Sequence, residues 1–172
     1  MRRGLRLFVL LSIGLLLIDQ MVKLWARNAA QGTEGRTLLA VWPGVFELKL
    51  VYNQGVAFGM LQGMGLLLSP IAIAIAVSAA IYSWKRPDEP KVHHVTAALL
   101  ASGAVGNLID RLTQGHVTDM FWIRLINFPV FNVADVCITA AGVLLVLGAA
   151  RDMIRPNHES TDQTGTNARG ME

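Results

Sequence analysis

"LRLFVLLSIGLLLIDQMVKLW", residues 5–25, is an apolar run interrupted near its end by Asp19 and Lys23. A helix that crosses a bilayer needs about 20 mostly apolar residues, and this stretch supplies them. Arg2, Arg3 and Arg6 lie at its start and the small-residue patch "NAAQG" follows it, which is also the layout of a secretory signal peptide. The run is longer than the apolar core of such a peptide and contains Asp19 and Lys23, so it reads as an uncleaved span. Three more runs of the same kind follow at 66–84, 95–112 and 130–150. The expected fold is a mainly α membrane protein with four transmembrane helices.

Composition agrees. Of 172 residues, 53% are hydrophobic and only 16% charged, against about 25% charged in soluble domains. The net charge of +3 and pI near 9.4 could suggest nucleic acid, but the positions of the charges argue otherwise. Arg2, Arg3 and Arg6 sit at the start of the first span, Lys85, Arg86 and Lys91 lie between the second and third, and Arg151 and Arg155 follow the fourth. Basic residues accumulate on the cytoplasmic side of spans. Both termini and the 85–91 connection are therefore expected inside, the connections 26–65 and 113–129 outside, with no nucleic-acid partner.

The first outside connection, 26–65, contains "VFELKLVYN", whose partial alternation favours short strands. A small extracytoplasmic sheet between the first two helices is expected there, with Trp42, Phe46 and Phe58 available at headgroup depth. The second, 113–129, reads as a short turn-bearing loop, since "NFP" breaks any helix. Residues 1–155 are thus one membrane domain. Beyond Pro156 the chain is polar and aperiodic, and 156–172 reads as a disordered cytoplasmic tail.

Ionisable side chains inside spans mark pairing or functional sites. Asp19 and Lys23, four residues apart, share a helical face and can pair. "GNLIDR" places Asn107, Asp110 and Arg111 within one turn, a polar brace or a substrate contact. Other chemistries lack their residues. HExxH and GxSxG are absent, His93 and His94 are adjacent and not at ligand spacing, His116 reads as a solvated loop residue, and the lone Cys137 reads as a small buried residue. No metal site, cofactor or covalent nucleophile is expected.

Carboxylates remain. "HVTDMF" carries Asp119 and "FNVADV" carries Asp135, at the two ends of one short excursion. Two carboxyl groups held close share a proton, one serving as base and the other as acid. Such a pair hydrolyses peptide bonds without a metal. Intramembrane carboxylates also serve proton relays, so a small proton-coupled transporter or channel using Asp19, Asp110 and Asp135 is the alternative, and a membrane scaffold is a third reading.

The motifs "LIDQMVKLW", "NQGVAFGML", "GNLIDRL", "HVTDMF" and "FNVADV" occur in the order found in lipoprotein signal peptidase, or signal peptidase II, which this chain resembles from about Leu5 to Ala150. The resemblance implies an aspartic endopeptidase of the bacterial cytoplasmic membrane. Its substrates would be prolipoproteins, cut just before the diacylglyceryl-modified cysteine, with membrane lipids around it; a monomer suffices. Asp119 and Asp135 would be the catalytic pair. Asn53, Asn107, Asp110, Arg111, Asn132 and Ala134 would support the site or bind substrate, as would Asp19 and Lys23 in the first-span motif. One departure is Thr118, where the family's pattern suggests an apolar residue such as valine. Its hydroxyl is expected to reach Asp119.

Overall fold

The computed structural model describes residues 3–55 and 65–154. Four helices carry the fold: α1 (Arg3–Ala29), α2 (Ser69–Lys85), α3 (Lys91–Gln114) and α4 (Val133–Ile154). With the 3₁₀ turn Gly65–Leu68 ahead of α2, each is long and apolar enough to cross a membrane. Their outer faces are apolar: Leu10, Ile13 and Leu17 on α1, Ile71 and Val77 on α2, and Val143, Val146 and Leu147 on α4 are all exposed. In water that would be a severe liability, whereas lipid tails are as apolar as these side chains.

The central helix is α3. Of its apolar window 56% is buried, against 17% in each of the other three, and it packs on α1, α2 and α4. Its buried positions are small: Ala97, Ala98, Ala101, Gly103, Ala104 and Gly106. Small residues let helix backbones approach closely where no hydrophobic force drives them together. A Cβ at Gly103 would lie 2.6 Å from the Ala134 carbonyl oxygen, and one at Gly106 would lie 2.6 Å from Asp19 Oδ2. The helix stops at Gly115, whose left-handed backbone (φ 77°) lets its N–H donate to the Arg111 carbonyl.

At the end of the bundle where α1 finishes, three strands form an antiparallel sheet in the order β1 (Thr37–Trp42), β2 (Phe46–Asn53), β3 (Val117–Ile123). The hairpin lies within 26–65, as its alternation predicts. The third strand corrects the sequence reading, which treated 113–129 as a loop. Its register sets Asp119 opposite Val51 and Val117 opposite Asn53, and Val117, Thr118, Asp119 and Met120 are all buried, so the strand shows no in–out alternation of apolar and polar residues. Pairing with β3 also occupies the edge of β2 that would otherwise be open. Ala26, Ala30, Leu50 and Met120 form a small core that fastens the sheet to the end of α1.

Phe46 stacks on Phe121, with ring centroids 6.3 Å apart, and Trp42 is exposed. Phe58 and the 156–172 segment lie outside the described residues.

Candidate active site

The site begins with a helix cap. Asn132 precedes α4 and Asp135 stands in its first turn. The Asp135 N–H donates to Asn132 Oδ1 at 2.9 Å, while the Asn132 N–H donates to Asp135 Oδ2 at 3.2 Å. This reciprocal arrangement is a capping box, formed by the spacing Asn–x–x–Asp. It explains locally why "FNVAD" starts a helix. Asp19, reaching across from α1, accepts the Ala134 N–H at 2.9 Å. Side chains thus take up the N–H groups that a helix start leaves unsatisfied.

Asn132 then reaches the second aspartate. Its Nδ2 donates to Asp119 Oδ1 at 2.6 Å and to Asn107 Oδ1 at 3.0 Å. Asn107 Nδ2 donates to Asp135 Oδ1 at 2.8 Å, and Asn53 Nδ2 donates to Asp119 Oδ2 at 3.2 Å. Each oxygen of both aspartates therefore accepts a hydrogen bond from a placed donor. Asp119 is buried, which with the nearby Asp135 charge raises its pKa from the usual carboxylate range to about 7, against the opposing bonds from Asn132 and Asn53. A carboxyl with that value exists in both protonation states near neutral pH.

Behind this layer lies a buried ionic cluster. Lys23 Nζ is 2.9 Å from Asp19 Oδ2, 3.5 Å from Asp110 Oδ2 and 3.0 Å from Asn107 Oδ1. The ammonium has three donors and meets three acceptors, which is what a fully buried lysine requires. Asp110 Oδ2 also accepts the Thr118 N–H at 2.8 Å, anchoring β3 one residue before Asp119. The Thr118 hydroxyl does not turn to Asp119. It accepts from Arg27 Nη1 at 2.9 Å, because successive strand residues point to opposite faces.

Arg27 was not among the residues singled out from the sequence, although it stands one turn beyond Lys23 on the same helical face. Gln20, whose Nε2 donates to the Gly106 carbonyl at 3.2 Å, was missed too. Arg111 points away from the cluster: its Nη2 donates to the Gly55 carbonyl at 3.4 Å and its buried Nε has no partner among the described residues. His116 packs against Tyr52, ring centroids 4.2 Å apart, and takes no part in the aspartate network.

Asp119, Asp135, Asn53, Asn107 and Arg111 line one cavity of about 940 Å³. Its lining also includes Val51 and Ile123 of the sheet, Phe128 and Phe131 of the following loop, Ile71 and Ile75 of α2, and Val136 and Ile138 of α4. The carboxylates Asp19, Asp110, Asp119 and Asp135 belong to one connected network and are not spaced along the bundle, so the arrangement gives the transporter reading no support.

Comparison with known proteins gives the family and the fold. The family model described as signal peptidase (SPase) II matches residues 11–151. The lipoprotein signal peptidase of Gloeobacter violaceus is 36% identical over 168 residues, covering 92% of this chain and 95% of that protein. That of Synechocystis sp. is 38% identical over 144 residues, covering 84% and 87%. A bacterial membrane enzyme solved by the in meso method at 2.3 Å resolution superposes with a TM-score of 0.79 at 26% identity, over 90% of this chain and 93% of its own. From its cap-built carboxylate pair to its four apolar helices, the chain belongs to the signal peptidase II family of peptidases.

Proposed function

We propose that this protein removes signal peptides from bacterial prolipoproteins by hydrolysing the peptide bond before a diacylglyceryl-modified cysteine, with Asp119 and Asp135 as the catalytic pair. The observation that carries the proposal is the placement of two carboxyl groups from separate elements, joined through Asn132, on the wall of one apolar cavity.

In this reading one carboxyl group is protonated and its partner ionised. The ionised group takes a proton from water as the oxygen attacks the scissile carbonyl carbon. The protonated group then gives its proton to the leaving nitrogen, and the C–N bond breaks. The products are a new carboxylate on the signal peptide and a free amine on the modified cysteine. Asn53, Asn107 and Asn132 hold the pair in register; Lys23, Asp19 and Asp110 brace Asn107 and the strand bearing Asp119; Arg111 faces the bound chain. The signal peptide lies as a helix along the apolar part of the cavity, and the acyl chains stay in lipid.

The sheet lies outside the cytoplasmic membrane and both termini and the Lys85–Lys91 connection lie inside, a reading supported by the basic clusters at the end of the bundle opposite the sheet. A monomer contains every group used here. Cleavage of a synthetic lipopeptide by purified protein in detergent is the test: product cut before the modified cysteine is expected, and cleavage at another bond or none would refute the assignment.

A further inference from the structure

Asn107 is a neutral residue in a network of charges, and its orientation matters more than its presence. Its Oδ1 accepts from Lys23 Nζ at 3.0 Å and from Asn132 Nδ2 at 3.0 Å, while its Nδ2 donates to Asp135 Oδ1 at 2.8 Å. Rotating the carboxamide by half a turn would set its NH₂ against the ammonium and the Asn132 NH₂, and its oxygen against the Asp135 carboxylate. All three contacts would turn repulsive. Without the ammonium the orientation rests on Asn132, whose NH₂ is shared with Asp119, and on Asp135, whose carboxyl can accept from Nδ2 when ionised but donate to Oδ1 when protonated. The ammonium cannot accept a hydrogen bond at all.

We propose that Lys23 is a positioning residue for the aspartate pair, its ammonium fixing the Asn107 carboxamide in the one orientation that presents Nδ2 to Asp135. The inference rests on the reading of Asp119 and Asp135 as the catalytic pair. It assigns the buried lysine a task beyond its ion pairs with Asp19 and Asp110.

The charges around Lys23 come from every side. Asp19 faces it from α1 and Asp110 from α3, with Arg27 of α1 3.8 Å from Asp110. Across Asn107 stand Asp135 of α4 and Asp119 of β3, with Arg111 of α3 on the cavity wall. Lys23 and Arg27 balance Asp19 and Asp110, so removing Lys23 leaves an extra negative charge behind the pair. A negative charge there favours the protonated form of Asp119, on β3, so each variant is compared at its own pH optimum.

The experiment compares Lys23→Met and Lys23→Arg with the native enzyme on a synthetic lipopeptide carrying a diacylglyceryl-modified cysteine. Lys23→Met, measured at the pH optimum of each variant, is expected to lower kcat at least about tenfold while KM stays within about threefold. Lys23→Arg keeps a cationic donor and is expected to restore kcat to within about threefold of native. A lysine that only stabilised the fold would lower the yield of folded enzyme and leave kcat per folded molecule unchanged.

If too little Lys23→Met folds, Lys23→Met combined with Asp19→Asn is read through kcat alone, since Arg27 then balances Asp110 and the amide oxygen at position 19 still accepts from Ala134. Folded Lys23→Met variants with kcat within about twofold of native, or with KM raised and kcat unchanged, would overturn the proposal. Asp119→Asn and Asp135→Asn measured alongside keep the two readings apart. Normal turnover in those variants defeats the catalytic pair itself, whereas their inactivity with unaffected Lys23 variants defeats only the role of Lys23.

Discussion

Asn132 Nδ2 sits 2.6 Å from Asp119 Oδ1, and the same side chain caps the helix that begins with Asp135. Asp119 rides on a strand and Asp135 on a helix. Backbone hydrogen bonds between Phe121 and Phe131 hold the strand beside the start of α4, and the Asn132 amide is the side-chain link that sets one carboxyl group against the other.

Asn132→Ala removes the cap and the link together. Loss of a cap costs about 1 kcal/mol, which the bundle can absorb. Turnover should fall by at least about tenfold, because misplacing a reacting group by 1 Å can cost far more rate than stability. Thermal unfolding and lipopeptide cleavage measured on the same preparation separate the two effects. An Asn132→Ala enzyme with native kcat would show that Asn132 does not position the pair.

Asp119→Asn and Asp135→Asn should each abolish cleavage while leaving insertion and substrate binding intact. Groups acting as one unit lose activity non-additively, so the double variant should be little worse than either single. Near-native turnover by either single variant removes that residue from the mechanism.

The raised pKa of Asp119 makes a signed prediction. Its folded value is about 7, well above the usual carboxylate range, so between about pH 4 and pH 7 the folded state holds a proton that the unfolded chain releases. The stabilising effect of that proton is complete below about pH 4 and is lost as pH rises through about 7. Above that the pair becomes doubly ionised, and the cleavage rate should decline. A rate profile flat from pH 6 to pH 9 in a folded enzyme would contradict the shared proton.

Gly106→Ala tests the approach of α3 to α1. Its Cβ would lie 2.6 Å from Asp19 Oδ2, displacing the carboxylate that caps α4 and pairs with Lys23. A destabilisation of about 1–3 kcal/mol is expected, with loss of activity. Gly142→Ala is the control, since nothing lies within 4 Å of its Cβ position and helix propensity favours alanine by about 1 kcal/mol. Equal stability of the two variants would refute the packing argument.

Orientation is testable by single cysteines in a Cys137→Ala background. Thr33, exposed beside the sheet, should react with a membrane-impermeant thiol reagent from outside, and Lys85 only after permeabilisation. The reverse labelling pattern would invert the topology.

The helices were legible in the sequence because a span must satisfy its own backbone and present apolar side chains to lipid; length and hydropathy suffice to find it. The Asp19–Lys23 pair was legible for a related reason, since helical spacing alone puts the two on one face. The capping box was open to the same reasoning in "FNVAD". Tertiary structure decided the rest. Val117–Ile123 becomes a strand only when the edge of β2 arrives to pair with it, a contact its own residues do not announce. Thr118 turns to Arg27, away from Asp119, because the pleat assigns the two to opposite faces. Asn53, Asn107 and Asn132 come from three distant segments, and only their meeting around Asp119 and Asp135 turns ordinary amides into the frame of a site. Periodicity reports which face of an element is apolar; it holds no information about which polar groups will share a hydrogen bond once those faces are packed.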